Sequence, residues 1–251
     1  MRLQPKRIMC TVDFSDFTDE ILGYSVALCK KFNAALSVVH IVTDVGTFFG
    51  KEKLAFEKLK ETNILNAKEQ LGGKLEHVTI DNEIVVIDGN PSDEICRLAM
   101  EKEIDLVITA SHGKSGIKKI LLGSVTEKLI KALKCPILVL NTKENNSISV
   151  ADYEMKLEKI MVGCDFSPDS KLAFDYGFSF AQEYQAEIYL THVIKPTEHV
   201  ELTASDYINV VPGNFAHWRS SDYFEMQEKV TAENRERIKA LRKRLEGQLY
   251  Y

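Results

Sequence analysis

Asp105-Leu-Val-Ile-Thr-Ala-Ser-His-Gly-Lys-Ser-Gly-Ile-Lys-Lys-Ile-Leu-Leu-Gly-Ser-Val-Thr126 decides the fold. Its apolar run ends at Thr109, and a loop follows with Ser111, His112, Gly113 and Gly116. Gly123-Ser124 then opens an amphipathic helix over 125–133. A Gly-rich turn after a strand leaves backbone N–H groups facing outward. A helix starting at Gly-Ser adds unpaired N–H donors, the positive end of its dipole and a hydroxyl. Together they make a phosphate cradle at the carboxyl end of a parallel sheet.

Spacing excludes three other motifs. Gly113-Lys114-Ser115 looks like the end of a P-loop, but that loop needs glycine at 108, where Ile108 sits inside the strand. No GxGxxG follows a predicted strand, and no GxSxG nucleophile elbow occurs.

Outward from this stretch, strands and helices alternate. Apolar runs at 7–12, 35–42, 83–87, 106–109 and 136–140 read as strands. Helical spacing appears over Thr18–Phe32, over 51–71 up to Gly72-Gly73, and over 92–102 behind Asn90-Pro91. Continuous apolar strands between helices require a sheet covered on both faces, hence an α/β, doubly wound, five-stranded parallel sheet. A polar linker follows at 142–147, and then the sequence repeats. Lys159-Ile-Met-Val-Gly-Cys-Asp-Phe-Ser167 restates Arg7-Ile-Met-Cys-Thr-Val-Asp-Phe-Ser15, and Ile188-Tyr-Leu-Thr-His-Val193 restates Leu36-Ser-Val-Val-His-Ile41. The offset is constant, 165 − 13 and 192 − 40 both giving 152. A gapless match of this kind indicates a duplicated domain. The expected organisation is a complete domain over 1–145 and an incomplete second copy over 155–251, strand-helix-strand-helix, with no second cradle.

Composition narrows the function classes. Hydrophobic residues make up 45% and charged residues 27%, ordinary for a globular protein. A net charge of −5 gives no electrostatic case for nucleic acid. No apolar run reaches the roughly 18–20 residues of a membrane span, and residues 1–7 carry no signal-peptide core. A cytoplasmic protein without nucleic-acid or membrane partners is the expectation. Five cysteines without a CxxC pair read as buried structural thiols, and six histidines without HxxxH or HExxH spacing give no protein-built metal site.

The cradle and the strand ends resemble one known family. His112-Gly113, nine residues, then Gly123-Ser124 resembles the nucleotide-binding signature of the universal stress proteins. Ile8–Ser15 resembles the family's first strand, Val38–Val42 its second, and Gly89-Asn90-Pro91 its turn into the third helix. One departure is Ala110, which stands where the signature has its first glycine. The resemblance implies an adenine nucleotide, ATP, with Mg²⁺ carried by the phosphates. Asp13 would approach the ribose or the phosphates, with helix capping as its other reading; Ser15 reads as a cap. The backbone of Ile41 would meet the adenine edge, and Gly89 would admit the ligand or permit the turn. Ala110, Ser111, His112, Gly113 and Lys114 would form the phosphate loop, and Gly123, Ser124 and Val125 its helical end. His40 and His192 read as packing or turn residues. The implied role is sensing or regulation in stress adaptation, with ATP hydrolysis slow at most, since no base to orient water and no arginine finger is visible. A dimerisation or scaffold module without nucleotide is the alternative that Ala110 favours. The resemblance further implies a homodimer through the strand Pro136–Leu140, whose edge is open.

Overall fold

The structure is a computed structural model. It describes residues 4–43, 51–111, 122–141 and 149–193, and two more helical residues, Glu236 and Lys239. The linker at 142–147 and, apart from those two residues, the expected last helix of the second copy fall outside the described residues. Strand β1 (Arg7–Thr11) leads to helix α1 (Thr18–Phe32), β2 (Ala35–Val42), α2 (Lys51–Leu75), β3 (Asn82–Asp88), α3 (Pro91–Glu101), β4 (Leu106–Ala110), α4 (Ser124–Ala132) and β5 (Ile137–Leu140). A 3-10 turn (Val150–Asp152) precedes β6 (Lys159–Gly163), α5 (Pro168–Tyr184) and β7 (Glu187–Thr191).

The first five strands pair in parallel in the order β3-β2-β1-β4-β5. Each apolar strand is covered on both sides, which is why alternation is absent from β1, where residues 8–11 are all buried. Ile8, Cys10 and Ile108 join α1 (Leu22, Val26) and α2 (Leu71) in one core layer. Met9, Val39 and Val107 join α3 (Ile95, Leu98) and α4 (Leu129) in the other. The sheet is therefore doubly wound.

Helix α2 departs from the expected boundary. It runs through Gly72 and Gly73 to Leu75. A glycine in a helix interior costs about 1 kcal/mol, but Leu71 and Leu75 lie one turn apart and both bury fully or nearly so. Burying a leucine stabilises by roughly 1.5–3 kcal/mol, so packing outweighs propensity. The cap expectations also change. The residue preceding α1 is Phe17, with no side-chain cap, and the Ser15 hydroxyl is buried without a partner. Asp13 instead accepts the Ser15 N–H at 3.1 Å, closing a turn upstream of the helix.

The chain divides into two compact units, Met1–Ile160 with Asp175–Glu187, and Met161–Phe174 with Ile188–Tyr251. Within the first unit, Phe180 packs edge-on against Phe32 of α1, with ring centroids 5.3 Å apart. β6 and β7 form a separate two-stranded sheet, the truncated second copy. The repeat extends to backbone detail. Phe14 (φ 56) and Phe166 (φ 65) share the left-handed conformation, as do Asn33 (φ 52) and Gln185 (φ 54). His40 Nδ1 lies 2.8 Å from the Val12 carbonyl, and His192 Nδ1 lies 2.6 Å from that of Cys164. Each histidine also abuts its phenylalanine, at 4.6 and 4.8 Å. Both are turn-fastening residues.

All five cysteines are free; Cys10 and Cys29 are buried, whereas Cys96, Cys135 and Cys164 are partly exposed. Burial pushes the Cys10 thiol up to about 12 against a weaker opposing hydrogen bond from Ser25; burial and then the neighbouring Cys10 push Cys29 to about 12 as well. A raised folded value means that the neutral thiols favour the fold fully below their ordinary 9.0, and that this contribution disappears as pH rises toward 12. At pH 8, iodoacetamide is expected to label Cys96, Cys135 and Cys164 in the native protein and to spare Cys10 and Cys29, read by peptide mass mapping. The loss of thermal stability between pH 9 and 12 is expected to flatten in Cys10→Ala.

Candidate functional site

The sheet order reverses direction between β1 and β4, where the chain crosses from the α1/α2 face to the α3/α4 face. Strand ends splay apart at such a switch point, and α/β sheets bind ligands there. A cleft of about 740 Å³ opens at this place, inside the usual range of small-molecule sites. The ends of β1, β2 and β4 form its floor, the start of α4 and of α3 one wall, and α2 another.

Six of the sequence-derived site residues line it: Asp13, Ile41, Ala110, Gly123, Ser124 and Val125. Asp13 stands just past β1, held by its turn to Ser15, and the left-handed Phe14 follows. A phenylalanine with positive φ stores on the order of 1–3 kcal/mol of strain. Ala110 ends β4 paired with Leu140, so its backbone is that of a strand. The position that is glycine in the resembling signature thus requires no positive φ here, and alanine fits without strain.

Helix α4 begins with Gly123 as the preceding residue, in extended conformation (φ −71, ψ 152) and with no side-chain cap. Ser124 is therefore the first helical residue and not the cap. The Gly123 N–H donates to the Ser111 carbonyl at 2.7 Å, and the Ser111 N–H donates to the Leu140 carbonyl at 2.8 Å. The Thr126 hydroxyl donates to the Ala110 carbonyl at 2.8 Å. These bonds clamp the start of α4 to the ends of β4 and β5. The N–H groups of Ser124, Val125 and Thr126 remain as first-turn donors without intrahelical acceptors, at the positive end of the helix dipole.

Two other residues are placed elsewhere. Ser111 is buried behind the cleft as part of that clamp. Gly89 does not line the cleft; its φ of 143 and the 2.8 Å between a built Cβ and Glu94 Cγ identify it as a turn glycine between β3 and α3. His112, Gly113 and Lys114 lie outside the described residues.

The cleft also includes residues that the motifs do not mark: Thr109, Thr126, His40, and Asn63, Asn66 and Gln70 on α2. No local motif falls on α2. Its only signal is a row of amides at helical spacing beside the apolar stripe. Among the described residues no group of three or more His, Cys, Asp or Glu is arranged to hold a metal, and no helix is long and apolar enough to cross a membrane.

Comparison with known proteins matches the universal stress protein family over residues 5–141 and 156–212. Universal stress protein MJ0531 of Methanocaldococcus jannaschii is 32% identical over 139 residues, which is 53% of this chain and 81% of that protein. Universal stress protein YxiE of Bacillus subtilis is 29% identical over 147 residues, 53% of this chain and 97% of its own. Among solved structures, a universal stress protein from Archaeoglobus fulgidus covers 91% of this chain and 73% of its own, with a TM-score of 0.55 at 20% identity, a likeness of fold. With both copies matched by the family and the five-stranded sheet in place, the chain belongs to the universal stress protein family.

Proposed function

We propose that this chain binds an adenine nucleotide, ATP, in the cleft at the carboxyl ends of β1, β2 and β4, and acts as a sensor or regulator in stress response. One observation carries the reading: Asp13, Ile41, Ala110, Gly123, Ser124 and Val125, far apart in sequence, converge on one cleft. The uncapped start of α4 suits the phosphates, with the loop residues His112, Gly113 and Lys114 adding donors. The end of β2 at Ile41 suits the base through its backbone, and Asp13 faces the ribose or the phosphate-bound metal. Mg²⁺ enters with the phosphates, which supply oxygen ligands that Asp13, the one carboxylate among the described lining residues, does not. The nucleotide-binding domain covers 1–145 and the second copy covers 155–251. Such a protein works in the cytoplasm.

Isothermal titration of the whole chain with ATP and Mg²⁺ tests this reading. Saturable binding near one equivalent is expected, and no heat and no competition by ADP would discard it in favour of the scaffold reading.

The same reading includes a homodimer through β5. That strand is an edge of the sheet, hydrogen-bonded only to β4 among the described strands, and such edges pair readily. Sedimentation at micromolar concentration is expected to give twice the 28.4 kDa chain mass, reduced to the monomer mass by Val139→Pro, which removes an edge donor.

A further inference from the structure

Helix α2 lines the cleft with uncharged side chains. Asn63, Asn66 and Gln70 recur at the three- and four-residue spacing that places them on one side of the helix. Beside them runs the buried stripe of Ala67, Leu71 and Leu75, and around the helix lie the exposed charges Lys58, Glu61, Lys68 and Glu69. A solvated helix face ordinarily carries such charges throughout. Among the described residues the strip along the cleft is amide only, with the small Ala67 between the amides and the apolar Ile21 also in the lining. None of the three amides hydrogen-bonds to another described side chain.

The geometry points to this amide strip as the wall that recognises the nucleoside end of the ligand, an inference that rests on the nucleotide reading above. A carboxamide offers one acceptor and two donors without charge, the complement of a nucleobase edge; Asn and Gln pair with the adenine N6 and N7 in this manner. Phosphate oxygens need positive charge beside their donors, and among the described residues α2 lines the cleft with none. Those donors sit at the start of α4, whose apolar face packs in the opposite core layer from α2. A nucleotide therefore spans the cleft with its phosphates at α4 and its base toward Asn63, Asn66 and Gln70. Ile21 and Ala67 supply apolar contact for the ring.

The test uses the full chain, with titration of ATP, GTP and inorganic tripolyphosphate into wild type, Asn66→Ala and the triple variant Asn63→Ala/Asn66→Ala/Gln70→Ala. Alanine at exposed helix positions raises helix propensity, so the variants keep the fold, checked by circular dichroism and melting. Losing one net hydrogen bond lowers affinity by up to about tenfold. The expected result is such a loss for ATP in Asn66→Ala, a larger one in the triple variant, a smaller preference for ATP over GTP, and unchanged tripolyphosphate binding. Unchanged ATP affinity in the triple variant would overturn this inference and leave the nucleotide reading standing. An equal loss for ATP and tripolyphosphate would also overturn it, because the amides would then act on the phosphates. A wild type that binds neither ATP nor tripolyphosphate would overturn both readings.

Discussion

Gly123→Asp is expected to abolish nucleotide binding while leaving the chain folded. Gly123 precedes α4 with φ −71 and ψ 152, ordinary extended backbone that aspartate adopts freely. No side chain caps this helix. Aspartate is among the preferred capping residues, and its carboxylate accepts from the first-turn N–H groups while favouring the positive end of the dipole. Against glycine, itself a tolerated cap, the helix is stabilised by about a few tenths of a kcal/mol. For the ligand the same change is doubly unfavourable. The carboxylate occupies the donors that the phosphates need, and it places a negative charge beside them, worth on the order of 4 kcal/mol at contact distance and surface-like dielectric. A fall in ATP affinity of at least about 100-fold, near 2.7 kcal/mol, is the expected outcome. Titration reads the binding and urea denaturation the stability. Unchanged affinity at raised stability would remove α4 from the site.

Met9→Ala and Met161→Ala are expected to differ strongly although they change the same position of the repeat. Met9 is 0% exposed in the central strand β1, paired on both sides and covered by the layer containing Ile95, Val107 and Leu129. Truncating a fully buried methionine removes its transfer energy and leaves a cavity, about 2–5 kcal/mol. Met161 follows an identical Lys/Arg-Ile pattern in β6 yet is 75% exposed. With little burial to lose, its substitution is expected to stay within about 0.5 kcal/mol. Denaturation midpoints of the two variants against wild type measure the contrast. Equal losses would mean that β6 is covered as β1 is.

Much of the fold is legible in the sequence because its signals are local. Thr18–Phe32 and Ala35–Val42 occur with the boundaries that periodicity assigns. The other elements match to within a few residues, and α2 is the largest departure. Gly72 and Gly73 read as a stop, since the energy that carries the helix past them lies in Leu71 and Leu75 meeting the core, a tertiary quantity. The candidate site divides in the same way. Gly123, Ser124 and Asp13 stand out through turn and helix-start chemistry. Asn63, Asn66 and Gln70 do not, because an amide row on a helix has no meaning until a cleft lies beside it. Gly89 and Ser111 stand out only by position along the chain, and they fall respectively in a turn and a buried clamp.

The two copies separate what local sequence determines from what packing decides. Asp-Phe-Ser after the strand, with a histidine at the end of the next strand, produces the same turn twice. Asp13 and Asp165 accept the N–H of Ser15 and Ser167 at 3.1 and 2.9 Å, Phe14 and Phe166 are both left-handed, and His40 and His192 fasten both turns. The interactions responsible lie within a few residues or between adjacent strands, so the sequence is sufficient. Burial is not determined this way. Met9 and Met161 hold the same position of the repeat, each after an isoleucine, and differ from 0% to 75% in exposure, because α3, α4 and β4 cover one and no described element covers the other. The cleft depends on the same elements: three strand ends and residues of four helices meet there only once the sheet is wound on both faces.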